Sequence, residues 1–308
     1  MNPRYKLFLP LVLLLILVTA TGCVKKQEAP VISLNNFEDQ NQEKQPDAKG
    51  KILRVAISSM TSAKQSIVDY DELLKYIEQH MNVRVEIIQR KTYAEVNDLI
   101  KAGRVDMAFV CTAAYVKGHK DFGMEILVVP RVRGGKTYQS YIITAKDKGI
   151  NSFADLKGKR FAFSDPISTS GSLYPRAILK NLGQTPDSYF KEYMYTYSHD
   201  NSIKAVYEGL VDGAAVDSLV FQNILERNPA YASRLKVIEK SPQYAIPPVV
   251  VRPGLESNLK EQLQNLFLNL HKDEKGKAIL NNLSIDEFSL QDDKAYDLVR
   301  ELLNVVNN

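Results

Sequence analysis

After Gly50 the sequence alternates between short strand-like runs and segments with apolar residues at helical spacing. The predicted order is strand, helix, strand, helix, strand, at residues 52–57, 70–77, 83–88, 93–102 and 105–110. Gly103 closes the second helix, as glycine commonly does after a last helical turn. Strands that alternate with helices run parallel, because each helix returns the chain to the same end of the sheet. The pattern therefore predicts an α/β fold.

A second series of strands and helices begins near Tyr141, which favours a second lobe over one long sheet. Further strands are predicted at residues 125–130, 140–145, 160–164, 214–217, 235–238 and 249–252. Further helices are predicted at residues 172–182, 201–209, 219–228, 255–270 and 292–306. The run 247–251 is predicted to be a strand that returns to the first lobe. We therefore predict two lobes, residues 51–140 with 246–308 and residues 141–245, joined by a two-strand hinge around a central ligand cleft.

The N-terminal segment has the pattern of an export signal. Arg4 and Lys6 precede an apolar run over residues 7–18, which is shorter than the roughly 20 residues that span a bilayer. The four residues that end at Cys23, Ala-Thr-Gly-Cys, resemble a bacterial lipobox, in which the signal is cut before the cysteine and the cysteine is acylated. We predict a signal peptide over residues 1–22 and a lipid on Cys23. The alternative is a plain secretory signal that leaves this cysteine unmodified.

The residues from Cys23 to Gly50 are rich in Gln, Glu, Asn, Asp, Lys and Pro and contain few apolar side chains. Such a segment cannot bury enough apolar surface to order itself. We therefore predict a disordered tether over residues 23–50. A chain of this length reaches at most ~90 Å, which lets a globular body move above a membrane surface.

Composition excludes several classes of protein. With 44% hydrophobic and 25% charged residues the chain matches an ordinary globular protein. Its formal net charge is +4, and Arg4 and Lys6 of the signal supply two of these charges, which leaves +2. So small a charge, with no basic face at helical or strand spacing, argues against nucleic acid as a partner. Two cysteines allow at most one bridge, so the chain is not a disulfide scaffold.

Common catalytic and cofactor motifs are absent from the sequence. It contains no G-x-S-x-G, H-E-x-x-H, G-x-x-x-x-G-K-[ST], G-x-G-x-x-G or C-x-x-C. No two of the four histidines, at positions 80, 119, 199 and 271, lie at metal-ligand spacing. We therefore expect a protein that is not an enzyme and that carries no cofactor and no metal.

Three consecutive hydroxyl residues, Ser168, Thr169 and Ser170, follow an apolar strand and the turn at Asp165-Pro166. They stand at the predicted start of a helix, where free N–H groups and the positive end of the helix dipole converge. Hydroxyl donors added to such a start predict a cradle for an oxyanion. The alternative is a helix cap, which explains one Ser or Thr but not three.

Two further loops with small hydroxyl residues also follow predicted strands. One spans residues 58–62 and includes Ser59, and the other spans residues 111–115 and includes Cys111 and Thr112. Ligands of open α/β sheets gather at the carboxyl ends of the strands. The three loops therefore predict one shared site.

Two side chains of the second lobe complete the predicted site. His199 precedes a predicted helix and can donate a hydrogen bond to an anion, whereas the adjacent Asp200 is interpreted as a helix cap. Asp217 follows the strand-like residues 213–216. Its carboxylate can accept a hydrogen bond only from a protonated oxyanion or an ammonium group. The alternative role of Asp217 is again a helix cap.

Several segments together resemble the phosphate/phosphite/phosphonate-binding family of ABC-transporter substrate-binding proteins. The most specific is Asp-Pro-x-Ser-Thr-Ser-Gly at residues 165–171, and the others lie at residues 106–116, 152–159, 197–200 and 211–218. The resemblance runs from about residue 52 to about residue 269. It implies a type II periplasmic-binding fold that closes on an oxyanion, with ligand residues Ser168, Thr169, Ser170 and His199 and an aromatic lining residue at Tyr115.

Two departures from the family pattern bear on the ligand. The first loop lacks the tyrosine expected near Met60, and residues 244–248 lack the acidic residue that helps hold an aminoalkyl ammonium group in some members. An inorganic oxyanion is therefore favoured over an aminoalkylphosphonate.

Cys111 adds an alternative ligand, because some relatives that sense arsenite use a cysteine. If Cys23 is acylated, Cys111 is the only thiol of the mature chain. The predicted helix start at Thr112 would lower the pKa of this thiol and favour a thiolate that binds trivalent arsenic. The other interpretation of Cys111 is a small buried apolar residue at a strand end.

Together these features predict a monomeric, lipid-anchored binding protein on the periplasmic or cell-surface side of the membrane. It would capture a tetrahedral oxyanion of the phosphate, phosphite or phosphonate type and present it to an ABC permease. The alternative partner is a sensor histidine kinase, which would make the protein a receptor for phosphorus or arsenic oxyanions.

Overall fold

Strands and helices alternate along most of the chain in this computed structural model, which describes residues 51–307. The strands are β1 (Lys51–Ile57), β2 (Val83–Ile88), β3 (Met107–Phe109), β4 (Glu125–Arg131), β5 (Thr137–Tyr138), β6 (Ser140–Ala145), β7 (Arg160–Phe163), β8 (Glu192–Tyr195), β9 (Gly213–Asp217), β10 (Leu235–Lys240), β11 (Tyr244–Ala245), β12 (Val249–Val251) and β13 (Glu287–Ser289). The helices are α1 (Ala63–Met81), α2 (Tyr93–Lys101), α3 (Thr112–Phe122), α4 (Tyr174–Asn181), α5 (Pro186–Tyr189), α6 (His199–Tyr207), α7 (Ser218–Arg227), α8 (Pro229–Arg234), α9 (Ser257–Asn269), α10 (Glu274–Leu283) and α11 (Asp297–Asn307).

The first lobe is built on a six-stranded sheet with the order β13-β4-β12-β3-β1-β2. Strand β1 runs parallel to both β2 and β3, as the alternation of strands and helices predicts. Strand β12 lies between β3 and β4 and is antiparallel to both. The chain therefore returns to the first sheet near its end, which confirms the predicted returning strand.

The second lobe is built on a five-stranded sheet with the order β10-β6-β9-β7-β8. Strand β7 runs parallel to β8 and β9, whereas β6 is antiparallel to β9 and β10. The strands β7 and β9 therefore present their carboxyl ends at one edge of this sheet. That edge carries the loops that precede α4 and α7.

Alternate residues of the central strands enter different hydrophobic clusters. In β1, Val55 and Ile57 belong to one cluster and Ala56 to another, while in β7 Ala162 is separated in the same way from Phe161 and Phe163. Side chains of a strand alternate between its two faces, so each sheet is buried on both. This explains why the central strands are continuous apolar runs.

A short antiparallel pair, β5 with β11, connects the two sheets. Tyr138 pairs with Tyr244 and Thr137 with Ala245, at the two points where the chain passes between the lobes. The predicted α/β fold of two lobes with a two-strand hinge is therefore confirmed.

The last helix, α11, ties the lobes together beside the hinge. It packs against α3 of the first lobe and α4 of the second. Val299 and Leu303 share a hydrophobic cluster with Tyr115 of α3 and Ala177 of α4. The hydroxyl of Tyr296, just before α11, donates to the hinge carbonyl of Ile246 at 3.1 Å. The hinge is thus backed by a helix that contacts both lobes.

Several elements are not predicted by the sequence pattern, and for three of them, β8, β13 and α10, the structure gives a physical reason. Strands β8 and β13 lie at sheet edges, where only one face or a short stretch is buried and the apolar alternation is weak. Helix α10 contains Gly276, where an added Cβ would stand 2.0 Å from the carbonyl oxygen of Leu270. Close packing requires glycine there, although glycine weakens a helix pattern.

The predicted signal peptide, tether and acylation at Cys23 lie outside the described residues. Across residues 51–307, every helix is either too short or too polar to traverse a bilayer.

We expect Val299→Ala to destabilise both lobes together. Val299 is fully buried, and removing two of its carbons leaves a gap at the contact of α11 with α3 and α4. A loss of about 1–3 kcal/mol in the free energy of unfolding is expected, measured by calorimetry as one shifted transition. Val305→Ala on the same helix, at a side chain that is 41% exposed, is the matched control and should change little. Two separate transitions in the variant would contradict the bridging role of α11.

Candidate functional site

The three hydroxyl residues lie in a wide, π-helical turn between β7 and α4, and each has a different environment. Ser168 caps the turn, because its Oγ accepts the N–H of Gly171 at 3.1 Å. Thr169 Oγ1 accepts the N–H of Ala113, at the start of α3 in the other lobe, at 3.0 Å. Ser170 Oγ is buried and has no hydrogen-bond partner among the described residues. One hydroxyl therefore builds the turn, one joins the lobes and one is free to bind a ligand.

Gly171 lets this turn approach its surroundings closely. A Cβ at this position would stand 1.8 Å from Ser164 Oγ and 2.9 Å from His199 Cε1. Any side chain would push the turn away from the histidine. The glycine that follows the three hydroxyls thus belongs to the construction of the site.

The start of α3 faces that turn from the first lobe. Cys111 is the residue before α3, is 3% exposed, and its Sγ lies 3.8 Å from Thr169 Oγ1. Thr112 Oγ1 donates to the carbonyl of Ala245, in the hinge strand β11, at 3.0 Å. The fold therefore brings Cys111 and Thr112 to the same end of the cleft as Thr169.

The expected low pKa of Cys111 is wrong. Burial disfavours the thiolate and raises the pKa of this thiol above its ordinary value, although hydrogen bonds from Thr169 and Ala113 act in the opposite direction. At neutral pH Cys111 is a protonated thiol. Desolvation outweighs the contribution of the helix start.

His199 is the first residue of α6 and is 1% exposed. Its Nδ1 accepts the backbone N–H of Asp217 at 3.1 Å, so the proton of the neutral ring lies on Nε2. Its own backbone N–H donates to the carbonyl of Met60 across the cleft at 2.9 Å. Burial lowers the pKa of His199 to about 4. The ring is therefore a neutral donor at physiological pH.

Asp217 ends β9 and caps α7. Its Oδ1 accepts the N–H groups of Leu219 at 2.7 Å and Val220 at 3.2 Å, so the cap interpretation holds. The side chain also lines a cavity in the cleft. Burial raises the pKa of Asp217 to about 6, even though both N–H groups favour the ionised form. A carboxyl group at this place can share a proton with a ligand oxygen.

Two tyrosines that the sequence analysis missed lie beside these groups. The hydroxyls of Tyr93 and Tyr138 are buried without a hydrogen-bond partner among the described residues. Burial raises the pKa of both phenols, and nearby Cys111 and Asp217 add to the effect. The Tyr138 phenol also lies next to the hydroxyls of Thr112 and Thr169. Tyr93 begins α2 after β2, so the strand-end rule could have found it, whereas Tyr138 in the hinge gives no polar signal.

Buried hydroxyls without partners are concentrated in this region. A buried polar atom normally has a hydrogen-bond partner, so a group of atoms without one indicates a ligand position. Besides the phenols and Ser170, the unpartnered hydroxyls of this part of the described chain are those of Ser58, Ser164, Ser172 and Ser198.

Asp165 of the Asp-Pro-x-Ser-Thr-Ser-Gly segment holds the two lobes in register. Its Oδ2 accepts the backbone N–H of Tyr93, in the other lobe, at 3.1 Å, and its Oδ1 accepts the N–H of Ile167 at 2.9 Å. The carboxylate therefore positions both the hydroxyl turn and the start of α2.

Two predicted site residues direct their hydroxyls elsewhere. Ser59 Oγ donates to the carbonyl of Arg90 at 2.8 Å, in a part-exposed position, while the adjacent Ser58 is 1% exposed. Tyr115 donates its phenol proton to Asp293 at 2.5 Å and packs against Tyr296. The fold therefore brings Ser168, Thr169, Ser170, Cys111, Thr112, His199 and Asp217 together, and turns the hydroxyls of the other two away.

A model of the family described as the periplasmic substrate-binding protein of phosphonate ABC transporters matches residues 55–296. The chain belongs to this family. Membership confirms the resemblance carried by the segment at 165–171. It also places the chain among extracytoplasmic substrate-binding proteins of transporters, which are not enzymes.

Two relatives of this chain have names that state a ligand. The chain is 29% identical over 262 residues to a phosphate-import protein of Mycolicibacterium smegmatis, covering 82% of this chain and 80% of that protein. It is 27% identical over 257 residues to the phosphonates-binding periplasmic protein of Escherichia coli, covering 82% and 76%.

Solved structures of phosphonate-type binding proteins share the fold. A binding protein component of an ABC phosphonate transporter from Pseudomonas aeruginosa superposes with a TM-score of 0.79 at 26% identity, covering 84% of this chain and 87% of that one. A methylphosphonate complex from Prochlorococcus marinus superposes with a TM-score of 0.75 at 23% identity, covering 83% and 98%. The type II periplasmic-binding fold is therefore confirmed.

The opposite pKa shifts of two site residues in this family member predict a specific effect of pH on stability. Asp217→Asn should gain stability relative to the parent as the pH rises. The parent carboxyl has a folded pKa raised from 3.8 to about 6, so the stability it contributes is complete below pH 3.8 and is lost as the pH rises through 6. Between about pH 4.5 and about pH 7.5 the advantage of the amide should grow by about 2 kcal/mol, measured by urea unfolding.

His199→Gln is the complementary variant and should show the opposite trend. The folded pKa of His199 is lowered from 6.5 to about 4, so its contribution is present above pH 6.5 and is lost as the pH falls through 4. Removing the imidazole should therefore reduce the loss of stability on acidification by about 2–3 kcal/mol. Parallel pH profiles for both variants and the parent would show that neither group is buried as described.

Proposed function

We propose that this protein is the extracytoplasmic receptor of an ABC importer and captures a tetrahedral oxyanion of the phosphate, phosphite or phosphonate type. The observation that carries the proposal is the group of buried hydroxyls without partners, Ser170, Tyr93 and Tyr138 among them, at the carboxyl ends of strands from both lobes. The names of the relatives from Mycolicibacterium smegmatis and Escherichia coli support the same class of ligand.

Recognition uses neutral donors that are in place before the ligand arrives. The imidazole of His199 presents its Nε2 proton, and the hydroxyls of Ser170, Tyr93 and Tyr138 can rotate their protons toward an anion. Hydrogen bonds to a charged group are about twice as strong as those between neutral groups. A buried anion is therefore stabilised without a buried lysine or arginine.

Asp217 makes the site selective for oxyanions that carry a proton. Its carboxylate accepts a hydrogen bond from a P–OH group, and it repels an oxyanion that has no proton to donate. Because burial raises its pKa to about 6, the group can instead hold the shared proton itself at mildly acidic pH. At neutral pH, where Asp217 is mostly ionised, a fully ionised tetrahedral anion such as sulfate has no proton to share with it.

Closure of the lobes completes the site. Four hydrogen bonds cross the cleft near it and are formed only when the lobes meet. They join Ala113 to Thr169, Tyr93 to Asp165, His199 to Met60 and Ser62 to Asp200. Ligand binding shifts the protein toward this closed form, which is the form that a permease recognises.

The arsenite-sensing alternative is disfavoured. A thiol with a raised pKa is a poor source of the thiolate that binds trivalent arsenic. Cys111 instead contributes a small, buried, uncharged wall beside Thr169. The protein therefore acts with a permease rather than with a sensor kinase, as a monomer that catalyses no reaction.

Attachment to the membrane is by a lipid on Cys23, after removal of residues 1–22. The polar residues 23–50 leave the body free to reach the permease. The anchor keeps the receptor on the outer side of the membrane, where its ligand is captured.

Ser170→Ala should weaken oxyanion binding without destabilising the unliganded protein. One hydrogen bond to a charged group contributes roughly 1.5–3 kcal/mol, so the dissociation constant for phosphate or methylphosphonate should rise by about 10-fold or more. The unliganded protein should keep its melting temperature, because the hydroxyl has no partner to lose. Calorimetric titration and thermal unfolding measure the two effects.

Ser289→Ala is the matched control. Its hydroxyl is also buried without a partner among the described residues, but it lies in the edge strand β13 of the first sheet. Affinity should be unchanged. An equal loss of oxyanion affinity in both variants, or no loss of affinity in Ser170→Ala, would place the ligand elsewhere.

Cys23→Ser should release the protein from the membrane. Radiolabelled palmitate supplied to cells should label the parent and Cys111→Ser, and it should not label the variant at position 23. The two positions are the only cysteines of the sequence, so each variant controls for the other. Label on the variant at position 23 would contradict the anchor.

A further inference from the structure

A cavity of about 180 Å³ opens in the cleft directly beside the proposed oxyanion position. Ser58, with its unpartnered hydroxyl, and Asp217 belong to its wall. Met60, whose carbonyl accepts the N–H of His199, lines it as well. The cavity therefore borders Asp217 and the loop at Met60, which adjoin the groups that would hold the head of a ligand.

The rest of the wall is mainly apolar and comes from both lobes. Phe109 and Ile57 contribute from the first sheet, Leu219 and Val220 from the first turn of α7, and Pro247 from the segment after the hinge. The segment 246–248 of this wall belongs to the stretch in which the sequence lacks an acidic residue. An organic substituent of a ligand whose head occupies the oxyanion position would contact the carbon atoms of these side chains.

The charged side chains of the wall are paired. Asp69 lies 3.8 Å from the guanidinium of Arg227 and accepts an amide N–H from Gln65 at 2.9 Å. Arg133 pairs with Glu226. Asp217 uses Oδ1 to cap α7, and the proposed function assigns its other oxygen to the head of the ligand. Apart from Asp217, the wall therefore offers no unpaired carboxylate to an ammonium group among the residues described.

The cavity is larger than the volume of a methyl group. By comparison, an apolar protein cavity of roughly 150 Å³ holds a ligand of about the size of benzene. Inorganic phosphate or phosphite would leave this space unused. A ligand that fills it gains affinity from each buried carbon, about fourfold per methylene.

We infer that the protein binds organophosphonates that carry a neutral, apolar substituent of about three to six carbons, with the substituent in this cavity. This inference rests on the proposed function, because the phosphonate head must occupy the site of Ser170 and His199. It retains the expectation that aminoalkylphosphonates are poor ligands. It replaces the expectation that an inorganic oxyanion is the preferred one.

The test is a calorimetric titration of the purified soluble body, residues 51–308, and of the full chain in detergent, with matched ligands. n-Propylphosphonate and 2-aminoethylphosphonate have the same shape and differ in a methyl against an ammonium group. n-Propylphosphonate should bind about 10-fold more tightly than methylphosphonate and at least about 10-fold more tightly than 2-aminoethylphosphonate.

A variant of the wall should reverse that preference. Leu219→Glu places a carboxylate in the cavity, so it should bind 2-aminoethylphosphonate more tightly than n-propylphosphonate. Leu210→Glu adds the same charge at a side chain that is 57% exposed and lies outside the cavity, and it should keep the parent order of ligands.

The possible results separate this inference from the function on which it rests. Phosphate, phosphite or methylphosphonate binding as tightly as n-propylphosphonate would overturn the inference and leave oxyanion capture intact. So would tighter binding of 2-aminoethylphosphonate by the parent protein. If none of these anions binds, the proposed function fails, and the inference fails with it.

Discussion

The hydrogen bond from the N–H of Ala113 to the hydroxyl of Thr169 is the contact on which the site depends. It joins the start of α3 in one lobe to the turn before α4 in the other. Both residues lie shortly after the carboxyl end of a strand, where an α/β sheet presents backbone N–H groups. Because neither partner is charged, the bond costs little to break when the lobes separate. The closed form is therefore assembled from neutral dipoles and is completed by the charge of the ligand.

Burial decides the ionisation of the groups around that contact. Cys111, His199 and Asp217 all stand at or next to helix starts, where the dipole favours negative charge. Yet burial raises the pKa of the thiol and of the carboxyl group, and it lowers the pKa of the imidazole. Loss of hydration thus outweighs the helix dipole at Cys111 and Asp217, whereas at His199 burial and the dipole both lower the pKa. Of these three groups, Cys111 and His199 are therefore neutral at physiological pH, and Asp217, with a pKa of about 6, is the one that is ionised.

The sequence predicts those parts of the site that follow local rules. The triplet Ser168–Ser170, Thr112, His199 and Asp217 follow strand ends, and the alternation of strands and helices is sufficient to bring them to one edge. Tertiary packing determines the rest. A side chain at a strand end changes face with each residue, so Ser58 is buried where Ser59 was predicted. Tyr115 lies one turn into α3, and the position of α11, which no local pattern gives, turns its phenol to Asp293.

The same limit explains why the tyrosines escape prediction. Tyr138 has the sequence context of an ordinary core residue, whereas Tyr93 follows a strand, and each packs into the cluster that includes Cys111. Their importance follows from the lack of a partner for the hydroxyl, which is a property of the folded molecule alone. Sequence periodicity predicts where a side chain is buried. It does not predict whether the polar atom of that side chain finds a partner.

Two tasks of the cleft are separated within the first turn of α7. Asp217, the proposed partner of the oxyanion, caps the helix, and Leu219, whose N–H donates to that cap, lines the apolar cavity. Backbone geometry holds the two residues in fixed relation, so the cap depends on the N–H of residue 219 and not on its side chain. The wall can therefore change in polarity while the head site keeps its hydrogen bonds. A binding protein built this way can acquire a new substituent preference through one side chain without rebuilding the part that recognises the anion.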